Sequence, residues 1–211
     1  RPELLARLSS VDGPVVAPLS CGQERMWFLN RLECQRNRGS GTYTEHLVLA
    51  LDGPLDRRAL AGALSALVAR RGALRTLFRE GAEGPEQVVY PPALLELETV
   101  DLSQAALDQA LAAAAHRPVD LAADPHVRFT LFALGAERHM LSVSAHHAAW
   151  DGWSNGVFID DLATGYNALH AGRTPQWPPL ERDVAGLARA QRAALTGPSF
   201  TASLERRHRA L

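Results

Sequence analysis

Residues 138–158 read RHMLSVSAHHAAWDGWSNGVF, and this stretch decides the fold that the sequence predicts. Apolar residues at alternate positions up to Ala145 predict a strand, and residues 155–171 have the apolar spacing of a helix. Between the two lie adjacent histidines, an aspartate and a glycine. A strand that ends in this way can hold an imidazole at its rim with a carboxylate one short turn away, which suits proton transfer or polar positioning in acyl transfer.

Side chains alternate along a strand, so the two histidines are expected to point to opposite faces of the sheet. His147 then shares a face with Val143 and Ala145, while His146 lies on the other face. This divergence disfavours a zinc site, because zinc ligands must converge to about 2.1 Å from one ion. One imidazole can face a cavity while the other packs in its wall. A plainer alternative makes both histidines hydrogen-bonded wall residues and makes Asp151 an ordinary acid at a helix start.

The rest of the chain alternates between patterns typical of strands and patterns typical of helices. We predict strands at residues 43–51, 73–78, 86–90, 126–133 and 138–145. We predict helices at residues 22–32, 57–71, 104–115, 155–171, 182–195 and 201–210. Ser20 and Ser103 are placed to cap two of the helices. Strands that mostly pair with their neighbours favour an α+β or α/β sandwich, a mixed sheet flanked by helices on one main face.

Composition excludes several classes of protein. The 211 residues suffice for one large domain or two small ones, and a formal net charge of −1 offers no basic field to nucleic acid. No run approaches the ~18 apolar residues of a membrane span, and the charged N-terminus predicts no signal peptide. Cys21 and Cys34 are expected to be reduced thiols in a cytoplasmic protein. No glycine-rich phosphate loop joins a strand to a helix, which disfavours dinucleotide folds and nucleotide hydrolases.

Residues 144–154, SAHHAAWDGWS, resemble the His-His-x-x-x-Asp-Gly signature of condensation domains of nonribosomal peptide synthetases. Further motifs that resemble this family follow in the right order. Residues 19–29, LSCGQERMWFL, resemble its first core motif, Ser-x-Ala-Gln-x-Arg-Leu/Met-Trp-x-Leu. Residues 70–78, RRGALRTLF, resemble its second, Arg-His-Glu-x-Leu-Arg-Thr-x-Phe, although Arg71 and Gly72 replace the His-Glu pair.

The resemblance weakens toward the end of the chain, where residues 181–187 retain Asp183 of the fourth motif but not its aromatic residues. It implies one chloramphenicol-acetyltransferase-like lobe of a pseudo-dimer roughly twice this length. We therefore expect residues 1–180 to form the N-terminal lobe, and residues 181–211 to form a helical connection toward a C-terminal lobe outside this sequence. The isolated lobe is expected to have little or no activity, because one lobe cannot close a tunnel that needs two.

The resemblance also implies a reaction. In that family, two acyl carriers present their substrates on phosphopantetheine arms at opposite ends of the tunnel, and an amine attacks a thioester to form an amide. His147 would orient the acceptor amine, take its proton or stabilise the charge of the tetrahedral intermediate, and these three roles stay open. Asp151 is expected to be structural, paired with Arg75 or, alternatively, with Arg70.

Other residues of the segment have expected roles as well. Gly152 is expected to let the backbone turn sharply and to offer its N–H to the developing oxyanion. His146 belongs to the catalytic motif and is expected to be a wall residue that sets the loop. Trp153 and Ser154 are the predicted substrate-binding residues.

The resemblance implies no tightly bound cofactor and no metal. The expected partners are donor and acceptor carrier domains and adjacent synthetase domains, including the C-terminal lobe. Binding to nucleic acid or to a membrane is not expected. The helix that carries Trp27 and Phe28 is expected to be mainly core. Two alternatives stay open: a CoA-dependent acyltransferase of the same superfamily, which shares His-x-x-x-Asp-Gly, and a non-catalytic lobe that binds carriers or is purely structural. The first two core motifs favour the synthetase.

Overall fold

The computed structural model describes residues 13–35, 41–197, 200 and 206–209. These residues contain both strands and helices, as the apolar periodicities predict. The strands are β1 (Val15–Pro18), β2 (Thr44–Asp52), β3 (Thr76–Gly81), β4 (Gly84–Val89), β5 (Glu98–Asp101), β6 (Val127–Ala133) and β7 (Arg138–His146). The α-helices are α1 (Cys21–Gln35), α2 (Arg57–Arg70), α3 (Leu107–Ala115), α4 (Gly152–His170) and α5 (Val184–Thr196).

The strands form two sheets. The larger has the order β2-β7-β6-β5, in which β5 pairs parallel with β6 and the other pairs are antiparallel, so it is a mixed sheet as predicted. The smaller has the order β1-β4-β3 and is antiparallel. The register of β2 against β7 sets Thr44 opposite His146, so the start of β2 meets the end of β7 at one rim of the larger sheet.

Helices α2 and α4 pack together over one face of the larger sheet, where alternate residues of β6 and β7 are apolar. Leu131, Leu141 and Val143 from the sheet are buried in one cluster with Leu64 of α2 and Phe158 of α4. Burying a side chain of this size contributes about 1.5–3 kcal/mol. This packing holds α4 against the sheet, and its N-terminus follows β7 directly at the rim.

Helices lie on both faces of the larger sheet, whereas the sequence predicts one main face. Helix α3 covers part of the second face, where the Ser144 hydroxyl donates to the carbonyl of Ala114 at 3.0 Å. On the same face, Nε2 of His46 and Oγ of Ser142 are 2.8 Å apart. Serine and histidine give this face the polarity of a solvated surface. The sequence alone therefore predicts no helix over it.

Two local predictions fail at the ends of elements. The strand predicted at residues 73–78 begins as a 3-10 turn over Gly72–Arg75, because the Thr76 hydroxyl donates to the carbonyl of Gly72 at 2.7 Å and tightens the chain there. Ser103 makes no capping hydrogen bond, since a 3-10 turn at Gln104–Ala106 precedes α3. The short strands β1 and β5 were not predicted.

Helix α1 begins as the sequence predicts and packs only partly as expected. The Ser20 hydroxyl accepts a hydrogen bond from the N–H of Gln23 at 3.2 Å, which confirms the predicted cap. Trp27 is buried, with its ring 6.1 Å from that of Phe78. The expectation that this helix is mainly core does not extend to Phe28, which is 62% exposed, because successive residues of a helix point about 100° apart.

Helix α5 lies in the predicted connection, residues 181–211, and packs on β1 of the smaller sheet. Ala185 is buried there together with Ala17 and Val89. The helix predicted at residues 201–210 falls mostly outside the described residues. The division between lobe and connection stays a prediction.

Both cysteines, Cys21 and Cys34, are free and exposed. Across the described ranges, none of the helices combines the length and the apolar character needed to cross a bilayer. The predictions made for the N-terminal residues 1–12 lie outside the described residues.

Candidate active site

The chain leaves β7 through residues 147–151 and enters α4 at Gly152, three residues earlier than the sequence predicts. Trp150 anchors this loop. Its buried ring packs against Phe158 of α4 with centroids 5.1 Å apart, and its Nε1 donates to the side-chain oxygen of Asn155 at 2.8 Å. A loop fixed by its own tryptophan holds its backbone carbonyls in defined positions.

His147 stands at the rim of the sheet with 38% of its side chain exposed. Its backbone N–H donates to the carbonyl of Tyr43 at 2.8 Å, which extends the pairing of β2 and β7 by one residue. Ring Nδ1 lies 3.2 Å from the carbonyl oxygen of Trp150, and ring Nε2 lies 3.8 Å from Oε1 of Glu45. The ring is therefore contacted from both sides and stays open to solution.

These contacts assign the tautomer of the neutral His147 ring. A carbonyl oxygen can only accept, so Nδ1 carries the proton and donates to Trp150. Nε2 then bears the lone pair and can accept a proton from a group that arrives from solution. A carbonyl that orients one ring nitrogen while the other stays available suits a general base.

His146 has a different environment, with 3% of its surface exposed. Its ring Nδ1 accepts a hydrogen bond from the backbone N–H of Ala148 at 3.1 Å. Its backbone N–H donates to the carbonyl of His126 at 2.8 Å. Burial, together with nearby His126 and His147, lowers the pKa of His146 to about 4. A neutral, enclosed ring whose Nδ1 is occupied fits a wall residue, and this geometry gives no support to a catalytic role.

Asp151 is the N-cap of α4. Its Oδ1 accepts from the N–H of Ser154 at 3.0 Å and from the Ser154 hydroxyl at 2.7 Å, while its own N–H donates to that hydroxyl at 3.2 Å. The hydrogen bonds from the Ser154 hydroxyl and N–H lower the pKa of Asp151. This reciprocal capping box fixes the residue at which α4 begins, and it matches the plainer alternative of a helix-start acid.

Within the described residues, Asp151 forms no ion pair with Arg75 and none with Arg70. Both the predicted pair and its alternative are therefore wrong. Arg75 donates instead to the carbonyl of Tyr90, because the 3-10 turn that carries it directs the side chain toward the end of β4. Arg70 lies 3.8 Å from Asp161 of α4. Oδ1 of Asp151 instead accepts from the first turn of its own helix.

Gly152 is the first residue of α4, and its φ lies outside the left-handed region. A Cβ there would meet no atom within 4 Å, so the expected sharp turn does not require glycine. Its N–H belongs to the first helical turn, whose amides have no partner within the helix. Trp153 beside it is 85% exposed, whereas the Ser154 hydroxyl is engaged by the cap. Substrate contact by these two residues stays a prediction.

The rim therefore brings together three kinds of group: the imidazole of His147, the carboxylate of Glu45 and the first amides of α4. Such a set can move a proton and stabilise a developing negative charge. In the part of the chain that the structure describes, no three His, Cys, Asp or Glu side chains cluster so that they could hold a metal ion.

Comparison with known proteins agrees with the sequence motifs. The family model of the condensation domain matches residues 15–202. The chain belongs to the condensation-domain family. Chondramide synthase cmdD of Chondromyces crocatus is 41% identical to it over 175 residues, which cover 79% of this chain and 4% of that synthase. A dimodular nonribosomal peptide synthase of Bacillus subtilis is 37% identical over 175 residues, which cover 82% of this chain and 7% of that synthase.

A solved structure gives the same relationship in three dimensions. The X-domain from teicoplanin biosynthesis has a TM-score of 0.80 and 34% identity, and the match covers 91% of this chain and 41% of that chain. The same X-domain is also known in a complex with OxyB. The predicted family and the α+β fold class are confirmed. This condensation-domain chain spans less than half of the solved domain and a few per cent of the synthetases.

Sequence reasoning missed three neighbours of His147 in this condensation-domain chain: Glu45 near Nε2, Trp150 at Nδ1, and Tyr43 at the backbone N–H. The register of β2 against β7 brings Glu45 and Tyr43 to the rim, and register cannot be read from either strand alone. One signal was present, because Glu45 is the charged residue that begins an otherwise leucine-lined face of β2.

Proposed function

We propose that residues 1–180 are the N-terminal lobe of a condensation domain and that residues 181–211 connect it to the second lobe. The complete domain forms an amide between an acyl or peptidyl thioester on a donor carrier and an amine on an acceptor carrier. The observation that carries this proposal is the His147 ring, held at an exposed rim with Nδ1 engaged by a carbonyl and with the lone pair of Nε2 open. The family match over residues 15–202 supports it.

The reaction requires a nucleophilic nitrogen and a place for its protons. The amine nitrogen attacks the thioester carbonyl carbon, a C–N bond forms and the carbonyl oxygen becomes an oxyanion. Nε2 of His147 takes a proton from the attacking nitrogen and gives it to the departing thiolate as the C–S bond breaks. The products are an amide and a free thiol, with no net oxidation. Proton transfer of this kind is worth about 10²–10⁴-fold in rate.

Neighbouring groups at the rim support the same chemistry. The N–H of Gly152, the first residue of α4, can donate to the oxyanion, and one such donor is worth about 10²–10³-fold in rate. Asp151 acts by position, because its capping box fixes where those amides lie. The exposed ring of Trp153 offers an apolar surface to an acyl chain or to a phosphopantetheine arm.

The partners follow from this chemistry. Donor and acceptor carriers bring their substrates on phosphopantetheine arms, and the second lobe completes the tunnel between them. Adjacent synthetase domains supply those carriers, and we place the whole assembly in the cytoplasm. The reaction requires no tightly bound cofactor. The synthetase relatives favour carrier-bound donors over CoA-bound donors.

The test uses the complete condensation domain that contains this chain, with both carriers loaded with aminoacyl groups. We expect a dipeptidyl acceptor carrier, detected by mass spectrometry of the intact carrier, and at least about 100-fold less of it from His147→Ala. A donor on CoA tests the acyltransferase alternative, which comparable product from that donor would favour. The 211 residues alone are expected to form no product, and robust amide formation by them would contradict the need for a second lobe.

A second candidate function is a lobe that binds a partner enzyme without turnover. The X-domain known in complex with OxyB is the observation that favours it. This candidate predicts no amide from the complete domain under any loading of the carriers. The open Nε2 of His147 favours catalysis, so the binding role ranks second.

A further inference from the structure

Two acceptor atoms face each other at the rim. Nε2 of His147 bears a lone pair, because Nδ1 donates to the carbonyl of Trp150, and Oε1 of Glu45 lies 3.8 Å from Nε2. Two acceptors cannot hydrogen-bond to each other unless a proton or a donor group lies between them. The two side chains are 38% and 29% exposed, so a donor from solution can reach both atoms.

The strand register places Glu45 at this position. Glu45 pairs with Ala145, two residues before His147 and on the same face of the sheet. Leu47 and Leu49, the next residues on that face of β2, pack against the core. Within the described residues, no arginine forms an ion pair with Glu45, so its charge faces the imidazole and water.

We infer that Glu45 and His147 together bind the protonated amine of the acceptor substrate, an inference that rests on the proposed function. An ammonium about 2.9 Å from both atoms donates one N–H to each, and charge-assisted bonds of this kind are the strong ones. A free α-amino group has a pKa of about 8, so it arrives mostly protonated at pH 7. The substrate class recognised is therefore a cationic amine rather than a hydroxyl group.

The protons balance. The ammonium gives up a first proton to Nε2, which Glu45, itself in contact with solution, can pass to water. The neutral nitrogen then attacks the thioester carbonyl, and a C–N bond forms. Nε2 takes the second proton from that nitrogen and gives it to the departing thiolate as the C–S bond breaks. Overall, one proton leaves to solvent, and no oxidant or further reactant is needed.

A Glu45 that merely oriented His147 would behave differently. The ring is already oriented by the Trp150 carbonyl on its other side. The distance of 3.8 Å between Nε2 and Oε1 also exceeds the roughly 3.2 Å limit of a good N–H···O hydrogen bond. Loss of orientation would slow every nucleophile equally, whereas loss of an ammonium site slows only nucleophiles that carry the charge.

The experiment exploits that difference in the complete condensation domain. Glu45→Gln keeps the shape of the side chain and removes its charge, and Glu137→Gln, at the exposed turn between β6 and β7, is the matched control. The acceptors are an aminoacyl-pantetheine, which is cationic at pH 7, and an aminooxyacyl-pantetheine, which is neutral there. Soluble acceptors prevent carrier docking from masking the effect. Thermal unfolding checks that both variants fold.

We expect Glu45→Gln to lower kcat/KM about tenfold for the cationic acceptor and by less than about twofold for the neutral one, with Glu137→Gln unchanged for both. The selective loss should shrink as salt is raised, because partly exposed charges are screened. Equal losses for both acceptors, or no loss for either, would overturn the inference while the proposed function stands. A wild-type domain that forms no amide with either acceptor would contradict the proposed function and the inference together.

Discussion

The adjacent residues His146 and His147 belong to two regions with different physical chemistry. His146 lies in a buried wall with His126, where a backbone group of Ala148 or Leu121 engages one nitrogen of each ring. His147 lies at the exposed rim, where one nitrogen is fixed and the other is open. Strand alternation sends neighbouring side chains to opposite faces, so one two-residue motif can supply both a reactive group and its support.

The two wall histidines also have a perturbed pKa. Burial lowers the pKa of both wall histidines, His126 and His146, to about 4, so both rings are neutral at pH 7. A proton taken up in the wall would place a charge in a medium of low dielectric constant. At the rim, the ring of His147 instead borders water and the carboxylate of Glu45. Exposure and hydrogen bonding therefore distinguish two histidines that the motif alone treats alike.

The largest expected effect comes from removing the rim histidine. His147→Ala in the complete domain should lower product formation at least about 100-fold, because it deletes the open proton acceptor. The free energy of unfolding should change by less than about 1 kcal/mol, since the side chain is partly exposed. Carrier-bound product and urea denaturation measure the two quantities.

His170→Ala, at the exposed C-terminal end of α4, is the control and should retain full product formation. Near-normal product formation by His147→Ala would contradict the proposed role of His147 as the proton acceptor at the rim.

The converse substitution should affect stability. His146→Ala leaves a cavity in the wall and leaves the N–H of Ala148 without its acceptor. We expect unfolding to become easier by about 3–4 kcal/mol, as measured by urea denaturation. His146→Asn, whose side-chain oxygen can replace Nδ1 as the acceptor, should recover part of that loss. A His146→Ala domain of normal stability that makes no product would instead give the wall histidine a direct role in the chemistry.

Much of the rim could be predicted from local pattern. Alternation along Leu141, Val143 and Ala145 located β7 and sent the two histidines to opposite faces. The position of Asp151 before an apolar helical pattern already allowed a helix-start acid, which is what the structure has. These inferences depend only on residues close together in the chain.

The rest depended on contacts between distant residues. Glu45 meets His147 only because β2 pairs with β7 in one register, and nothing in either strand specifies that pairing alone. The resemblance suggested an arginine for Asp151, but the 3-10 turn before β3 sends Arg75 to Tyr90. The face of the larger sheet that carries Ser144 has the polarity of a solvated surface, but α3 covers part of it.

Acid should destabilise the protein through its buried wall histidines. Both wall histidines have a folded-state pKa of about 4, below the value of 6.5 expected in the unfolded chain. Between these values the unfolded state takes up protons that the folded state does not, so stability is complete above pH 6.5 and falls as the pH drops toward 4. Each group contributes a slope of up to about 1.4 kcal/mol per pH unit.

We therefore expect the free energy of unfolding to fall by about 2–3 kcal/mol between pH 7.5 and pH 5.5. His126→Gln keeps a donor for the carbonyl of Leu121 and cannot titrate, so it should remove about half of this dependence. Urea denaturation at the two pH values measures the difference between wild type and variant. An unchanged slope in His126→Gln would mean that the wall does not control acid stability.

The smallest expected effect tests how the rim is attached to its helix. Asp151→Ala should cost about 1 kcal/mol of stability, because the first amides of α4 lose their acceptor, and Asp151→Asn, also a good cap, should cost only a few tenths.

In double-mutant cycles, Asp151→Ala should couple to Ser154→Ala, whose hydroxyl completes the capping box. It should add to Arg75→Ala within about 0.5 kcal/mol, because those side chains make no ion pair. Coupling to Arg75 with no coupling to Ser154 would restore the ion pair that the sequence resemblance suggested, and the first turn of α4 would then be fixed from the other sheet rather than by its own cap.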